Sequence, residues 1–181
     1  MNTRRKLATT LLALIALAPL AAIAHGPTRQ KVTESVTIDA PPAAVWARIK
    51  NFDSLKDWHP AIAESPASQG NEVGSVRSLK LKGGGELTET IERYDDAGMK
   101  YSYRAKDGGA LPVTNYTSTI NVMAGEGADA GKTVVEWRGA FYRGHPGNEP
   151  PPELNDDAAV AAITGVYQSG LANLKKLAER K

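Results

Sequence analysis

The chain has 181 residues, with 22 Lys and Arg against 20 Asp and Glu, a formal charge of +2, and no cysteine. Three of the positive charges, Arg4, Arg5 and Lys6, precede an uncharged run from Leu7 to Ala24, so residues 25–181 carry 19 basic and 20 acidic side chains. Without a basic excess a nucleic-acid partner loses its electrostatic footing. Without cysteine, disulfides, thiol catalysis, thiolate metal sites and a lipid-modified cysteine are excluded.

The first 24 residues read as a secretory signal peptide, with a basic start, an 18-residue uncharged run and the small-x-small ending Ala22-Ile23-Ala24. The alternative is an uncleaved anchor, but a span usually needs about 20 apolar residues, Pro19 interrupts this run, and no positive cluster follows it. Arg4-Arg5 partly matches a twin-arginine signal, although the strongly apolar core suits the general secretory route better. Cleavage after Ala24 would place the protein in the periplasm with no stable membrane anchor, leaving residues 25–181 as a single domain. A domain of about 150 residues buries roughly 68–70% of its unfolded-chain surface, enough for a core without disulfides.

KVTESVTID (Lys31 to Asp39) alternates Val32, Glu34, Val36 and Ile38 with polar residues and predicts a strand. Pro41-Pro42 then opens a helix with the apolar stripe Val45, Trp46 and Ile49. A second short helix is expected over Ser54 to Trp58, stopped by His59-Pro60. From Ile62 to Tyr142 the pattern is strand and turn, punctuated at Gly70-Asn71, Gly83 to Gly85, Asp95 to Gly98, Asp107 to Gly109 and Gly125 to Gly131. GHPGNEPPPELNDD (Gly144 to Asp157) reads as an ordered surface loop with polyproline character. Asp156 or Asp157 is expected to cap a long helix to about Glu179, whose inward stripe is Val160, Ile163, Tyr167, Leu171, Leu174 and Ala178. Gly165 and Gly170 each cost that helix about 1 kcal/mol relative to Ala, which close approach to a sheet or space for a ligand would explain.

This order is α+β: a curved antiparallel sheet gripping a long C-terminal helix, with two short helices after the first strand and room for a cavity between sheet and helix. Strand parity sorts the side chains. Leu87, Glu89, Ile91 and Arg93 share one face; so do Tyr101, Tyr103 and Ala105; so do Tyr116, Ser118, Ile120 and Val122; and so do Val135, Trp137, Gly139 and Phe141. The inferred interior is apolar and aromatic with a few polar points, the make-up of a small-molecule pocket. The cavity candidates are Trp58, His59, Glu89, Tyr101, Tyr103, Tyr116, Ser118, Trp137 and Tyr167. Each has a plainer role open to it. The tyrosines can be core residues whose hydroxyls reach a carbonyl. Glu89 is either a general acid or base or the partner of an Arg or Lys at a sheet edge. His59 either binds a ligand or caps the second helix.

Metal and cofactor chemistry is not indicated. His25, His59 and His145 have no ligand spacing, although cleavage would expose His25 as an amino-terminal chelator. Gly83 to Gly85 lacks the GK[ST] of a phosphate loop. Asn115-Tyr116-Thr117 matches a glycosylation pattern by chance in a chain of bacterial style.

The strings VTIDAPPAAVWARIKNFDSLKDWHPAI, LKLKGGG, LPVTNYTST, VEWRGAFYRG and PPPELNDDAAVAAITGVYQSGLANLKKLAE resemble the START-like SRPBCC superfamily. That superfamily includes birch-pollen allergen relatives and the polyketide cyclase/dehydrase group. Within it the chain is similar to the MxaD-type periplasmic accessory proteins of methanol oxidation. The resemblance implies a helix-grip fold with a hydrophobic cavity and no shared catalytic residues. It also implies a role in helping methanol dehydrogenase pass electrons to its cytochrome c. The proline loop, with Pro150, Pro151 and Pro152, is then a candidate docking surface. The competing expectations are a carrier of a lipid or hydrophobic metabolite, and a cyclase- or dehydratase-type enzyme using Glu89 or His59 with a tyrosine.

Overall fold

A computed structural model describes residues 26–180; the expected signal segment and its cleavage site lie outside them. The chain runs through β1 (Gln30–Ile38), α1 (Pro42–Ile49), α2 (Leu55–Trp58), β2 (Ile62–Glu64), β3 (Val76–Leu81), β4 (Glu86–Asp95), β5 (Lys100–Ala105), β6 (Val113–Ala124), β7 (Thr133–Arg143) and α3 (Asp156–Ala178). Short 3₁₀ turns stand at Phe52–Ser54, Gly127–Asp129 and Pro152–Leu154. The strands form one antiparallel sheet in the order β1-β7-β6-β5-β4-β3-β2. β2 to β7 make a meander, and β1 closes the sheet beside the last strand, so α1 and α2 carry the chain from one edge to the other. The α+β helix-grip arrangement follows from packing: each strand has one apolar face, and α3 supplies the apolar stripe that covers it.

That stripe consists of Ala159, Ile163, Tyr167, Gly170, Leu171 and Leu174, all buried. The helix starts one residue earlier than expected in its capping. Asn155 is the cap, its Oδ1 accepting from the Ala158 N–H at 2.8 Å, while Asp156 and Asp157 fill the first turn. A carboxylate there still meets the positive end of the helix dipole, which is why the sequence signal falls on the neighbours of the true cap.

Inward parity holds on β5, β6 and β7. On β4 it holds for Leu87, Glu89 and Ile91 but fails at Arg93, because a register shift between Ile91 and Arg93 turns Arg93 to solvent. The extra residue of a bulge reverses the alternation beyond it. Arg143, buried at the end of β7, fastens the loop that follows: it donates to the carbonyls of His145 at 2.9 Å and Gly147 at 2.7 Å, and pairs with Asp156 at 3.0 Å. The loop is thus built, not slack. Of the three docking candidates only Pro152 is exposed; Pro150 and Pro151 are half-buried.

Candidate functional site

Strand register brings the inward polar residues together. Ile91, Tyr103, Ser118, Gly139 and Val32 form one rung across five strands, and Tyr101, Ile120, Trp137 and Glu34 form the next. From α3, Tyr167 stacks on Trp137 with ring centroids 4.5 Å apart and an interplanar angle of 19°. Its hydroxyl sits where a Cβ on residue 139 would be, so Gly139 is what lets the helix side chain reach the sheet backbone.

The hydroxyls there form an ordered chain. Ser118 Oγ donates to the carbonyl of Arg138 at 3.1 Å and accepts from Trp137 Nε1 at 2.9 Å. A hydroxyl has one proton, so Tyr167 must donate to Ser118 (2.8 Å) and Tyr116 to Tyr167 (2.8 Å). Trp137 also reaches Tyr103 Oη at 3.2 Å. Burial pushes Tyr103, Tyr116 and Tyr167 well above the ordinary phenol range, and Tyr101 to about 12. All four stay neutral, and Tyr103, Tyr116 and Tyr167 are engaged within this network.

Glu89 is the partner of Arg77, directly across on β3. Arg77 Nε and Nη2 both meet Glu89 Oε2, at 3.0 and 2.5 Å, and Nη1 donates to the Phe52 carbonyl at 2.6 Å. The guanidinium lies 4.0 Å from the centroid of the Phe52 ring. Burial is the largest influence on Arg77 and opposes its charge, but Glu89 and the nearby tyrosines outweigh it and hold its pKa above the ordinary value. The pairing expected at a sheet edge is instead a core ion pair, with Arg77 fully buried and Glu89 3% exposed. Arg77 escaped the sequence reading although its signal was there: it shares strand parity with Leu79 and Leu81, as Glu89 does with Leu87 and Ile91.

His59, at the end of α2, is buried. Its Nδ1 accepts from the Ala61 N–H at 3.2 Å, which makes Nε2 the protonated nitrogen, donating to the α3 carbonyl of Val166 at 2.9 Å. Burial pulls its pKa below 6.5, so the ring is neutral. The histidine thus joins α2 to α3, and both nitrogens are occupied. A Cβ on Gly170 would meet His59 Cδ2 at 2.6 Å and Trp137 Cζ3 at 2.9 Å, whereas one on Gly165 would meet nothing within 4 Å. Close approach explains Gly170; nothing in the structure explains Gly165.

What remains of the expected cavity is about 40 Å³, between β3, β4 and the α2 end, lined by Leu55, His59, Ala61, Ile62, Leu79, Leu81, Leu87, Glu89, Tyr103, Leu111, Tyr116, Trp137 and Val166. Pockets for small molecules run to about 300–1,000 Å³, and one water takes about 30 Å³. The aromatic rings expected to line the space fill it. His59, Glu89, Tyr103, Tyr116 and Trp137 reach the pocket wall. Ser118 and Tyr167 stand behind it in the hydroxyl chain, Trp58 packs behind Trp137 at 5.4 Å, and Tyr101 packs against Trp46 and Phe52. The indole N–H of Trp58 and the hydroxyl of Tyr101 are buried without a hydrogen-bond partner among the described residues.

Residues 29–179 match the family described as polyketide cyclase / dehydrase and lipid transport. Among solved structures, the chain is similar to the protein XoxI from Bacillus cereus, at 32% identity over 81% of this chain and 94% of that one, with a TM-score of 0.67. An uncharacterized protein from Bacillus thuringiensis is similar at 31% identity over 83% of this chain and all of its own, with a TM-score of 0.69. The aromatase/cyclase Zhui from Streptomyces sp. R1128, at 18% identity, covers 84% of this chain and 95% of its own with a TM-score of 0.64, which is a likeness of fold.

Proposed function

The chain belongs to the polyketide cyclase/dehydrase and lipid transport family, and within it we propose a non-catalytic periplasmic accessory protein that helps methanol dehydrogenase pass electrons to its cytochrome c. One fold hosts many functions, so the site has to carry the choice. The observation that carries it is the closed interior. A space of about 40 Å³ is far below the roughly 300–1,000 Å³ of a small-molecule pocket. The polar groups that line it are already engaged: His59 with two backbone partners, Glu89 with Arg77, Tyr116 through Tyr167 with Ser118, and Tyr103 with Trp137. A protein with such an interior works through its surface, and the ordered loop pinned by Arg143 is one built surface. The pathway itself rests on the likeness of the quoted strings to the MxaD-type proteins.

The test is electron flow from purified methanol dehydrogenase to its cytochrome c, with and without residues 25–181. A saturable rise near stoichiometric amounts is expected, and no change with both partners active would remove the role. A second reading, carriage of a lipid or hydrophobic metabolite, draws on the apolar wall of Leu79, Leu81, Leu87 and Leu111 and requires the packed interior to open well beyond about 40 Å³. Mass spectrometry of protein purified from its own periplasm is its test, and a ligand-free spectrum counts against it.

A further inference from the structure

On the outer face of the sheet, register stacks side chains into two neighbouring rungs. One runs Thr33, Arg138, Thr119, Ser102, Arg93 across β1, β7, β6, β5 and β4; the next runs Lys31, Ala140, Thr117, Arg104, Thr90 across the same strands. Short side chains occupy the middle, and long cations stand toward the flanks. The short ones floor an open trough of about 690 Å³, and a second hollow of about 390 Å³ shares Thr117, Thr119 and Arg138 with it. Arg138 and Arg93 lie three strand spacings apart, about 14 Å, wide enough to seat an extended segment or a loop of another protein.

The cations bordering the two hollows are Arg29, Lys31, Arg93, Lys100, Arg104 and Arg138; the carboxylates are Glu92 and Asp95. Arg104 is tied to Glu92 at 2.7 Å and Lys100 to Asp95 at 3.5 Å. Arg29, Lys31 and Arg93 make no ion pair among the described residues, and Arg138 reaches only Glu136, at 3.8 Å. Residues 25–181 carry 19 basic and 20 acidic side chains, so this face is a segregation of charge and not a reflection of composition. The sheet's own stability has no use for unpaired like charges gathered on one face. A partner with carboxylates to place between them does.

We propose that this trough is a docking site for an acidic protein surface, a step that names the partner's chemistry and rests on the reading that the protein works by docking. A recess flanked by long cations suits a protruding acidic segment better than a flat lipid surface. The exposed large hydrophobic residues that a membrane contact would use, Val73, Val76 and Met123, do not line it. Attraction of this kind acts on encounter rate and is screened by salt, with a Debye length of about 8 Å at 0.15 M.

The experiment titrates residues 25–181 with a dodecamer of glutamate and maps the shifted backbone amides by NMR, then repeats it with Arg93→Glu/Arg138→Glu. The control is Arg48→Glu/Lys176→Glu, which has the same net charge and exposed positions on α1 and α3. Shifts confined to Arg29 and the outer residues of β1 and β4–β7 are expected, with affinity falling about tenfold in the trough variant and little in the control. Equal loss in both variants, shifts elsewhere, or binding of phosphatidylglycerol vesicles in place of oligoglutamate would overturn the proposal. A second arm measures binding to methanol dehydrogenase and cytochrome c. Wild-type binding that the trough variant leaves unchanged overturns the trough and spares the role in methanol oxidation. No wild-type binding, with the oligoglutamate result intact, removes that role and leaves the trough.

Discussion

On the inner face of β6 and β7, Tyr116, Ser118 and Trp137 are buried, hydrogen-bonded and covered by α3; one residue along, on the outer face, Thr117, Thr119 and Arg138 line an open trough. The same two strands therefore present a surface whose polar side chains are hydrogen-bonded and another whose one ion pair among the described residues, Arg138 with Glu136 at 3.8 Å, is loose and exposed. The difference shows where specificity resides. Inside, low dielectric makes each hydrogen bond strong and each unpaired group costly, so the inner face acts as structure. Outside, water screens the charges and leaves them free to recombine with a partner. Both faces alternate in sequence, and covering by α3 is what separates them.

The largest expected effect lies inside. Arg77→Ala or Glu89→Ala should each cost about 3–5 kcal/mol, because either leaves a buried charge without its partner. Urea unfolding would measure it, and Arg77→Met/Glu89→Leu should recover most of the loss. Single variants as stable as wild type would show that the pair is not buried as described.

Gly139→Ala should come next, at about 1–3 kcal/mol, by displacing the Tyr167 hydroxyl and breaking its bonds to Ser118 and Tyr116. Gly170→Ala should destabilise in the same way through His59 and Trp137, whereas Gly165→Ala, in open space, should stabilise by about 0.5–1 kcal/mol. Thermal melting of the three variants tests whether closeness to the sheet separates the two helix glycines.

His59 links the inner face to pH. Its folded pKa lies below 6.5, so as pH falls through 6.5 the unfolded chain takes up a proton that the folded chain refuses. Stability is therefore flat above that value and declines below it, toward the lowered folded pKa, by at most about 1.4 kcal/mol per pH unit. His59→Gln should be less stable at pH 7.5 yet should lose this part of the slope, as urea midpoints at several pH values would show.

The smallest stability effect belongs to the outer face. Arg93→Glu/Arg138→Glu should stay within about 0.5 kcal/mol of wild type while changing affinity for acidic partners. If it unfolds the protein instead, the two faces are not separable.

Much of the fold was legible in order and alternation. The inward sets on β5, β6 and β7 follow from period two, and the stripe of α3 from spacings of three and four. Where the reading failed, a single residue of register was at stake: the bulge that turned Arg93 outward, and the cap that fell on Asn155 instead of its acidic neighbours. The candidate site was legible as a set of residue types and not as a site. His59, Glu89 and Trp137 reach the pocket wall, but Arg77, which engages Glu89, stood on another strand and became relevant only when β3 and β4 paired. The cavity's size could not be read at all, since whether aromatic rings line a space or fill it depends on rotamers and on how closely the helix approaches. Periodicity is local and survives in the linear chain. Distance between side chains on different strands, and which face a helix covers, arise only from the packed whole, and it was packing that closed the interior and left Arg93 and Arg138 in the open.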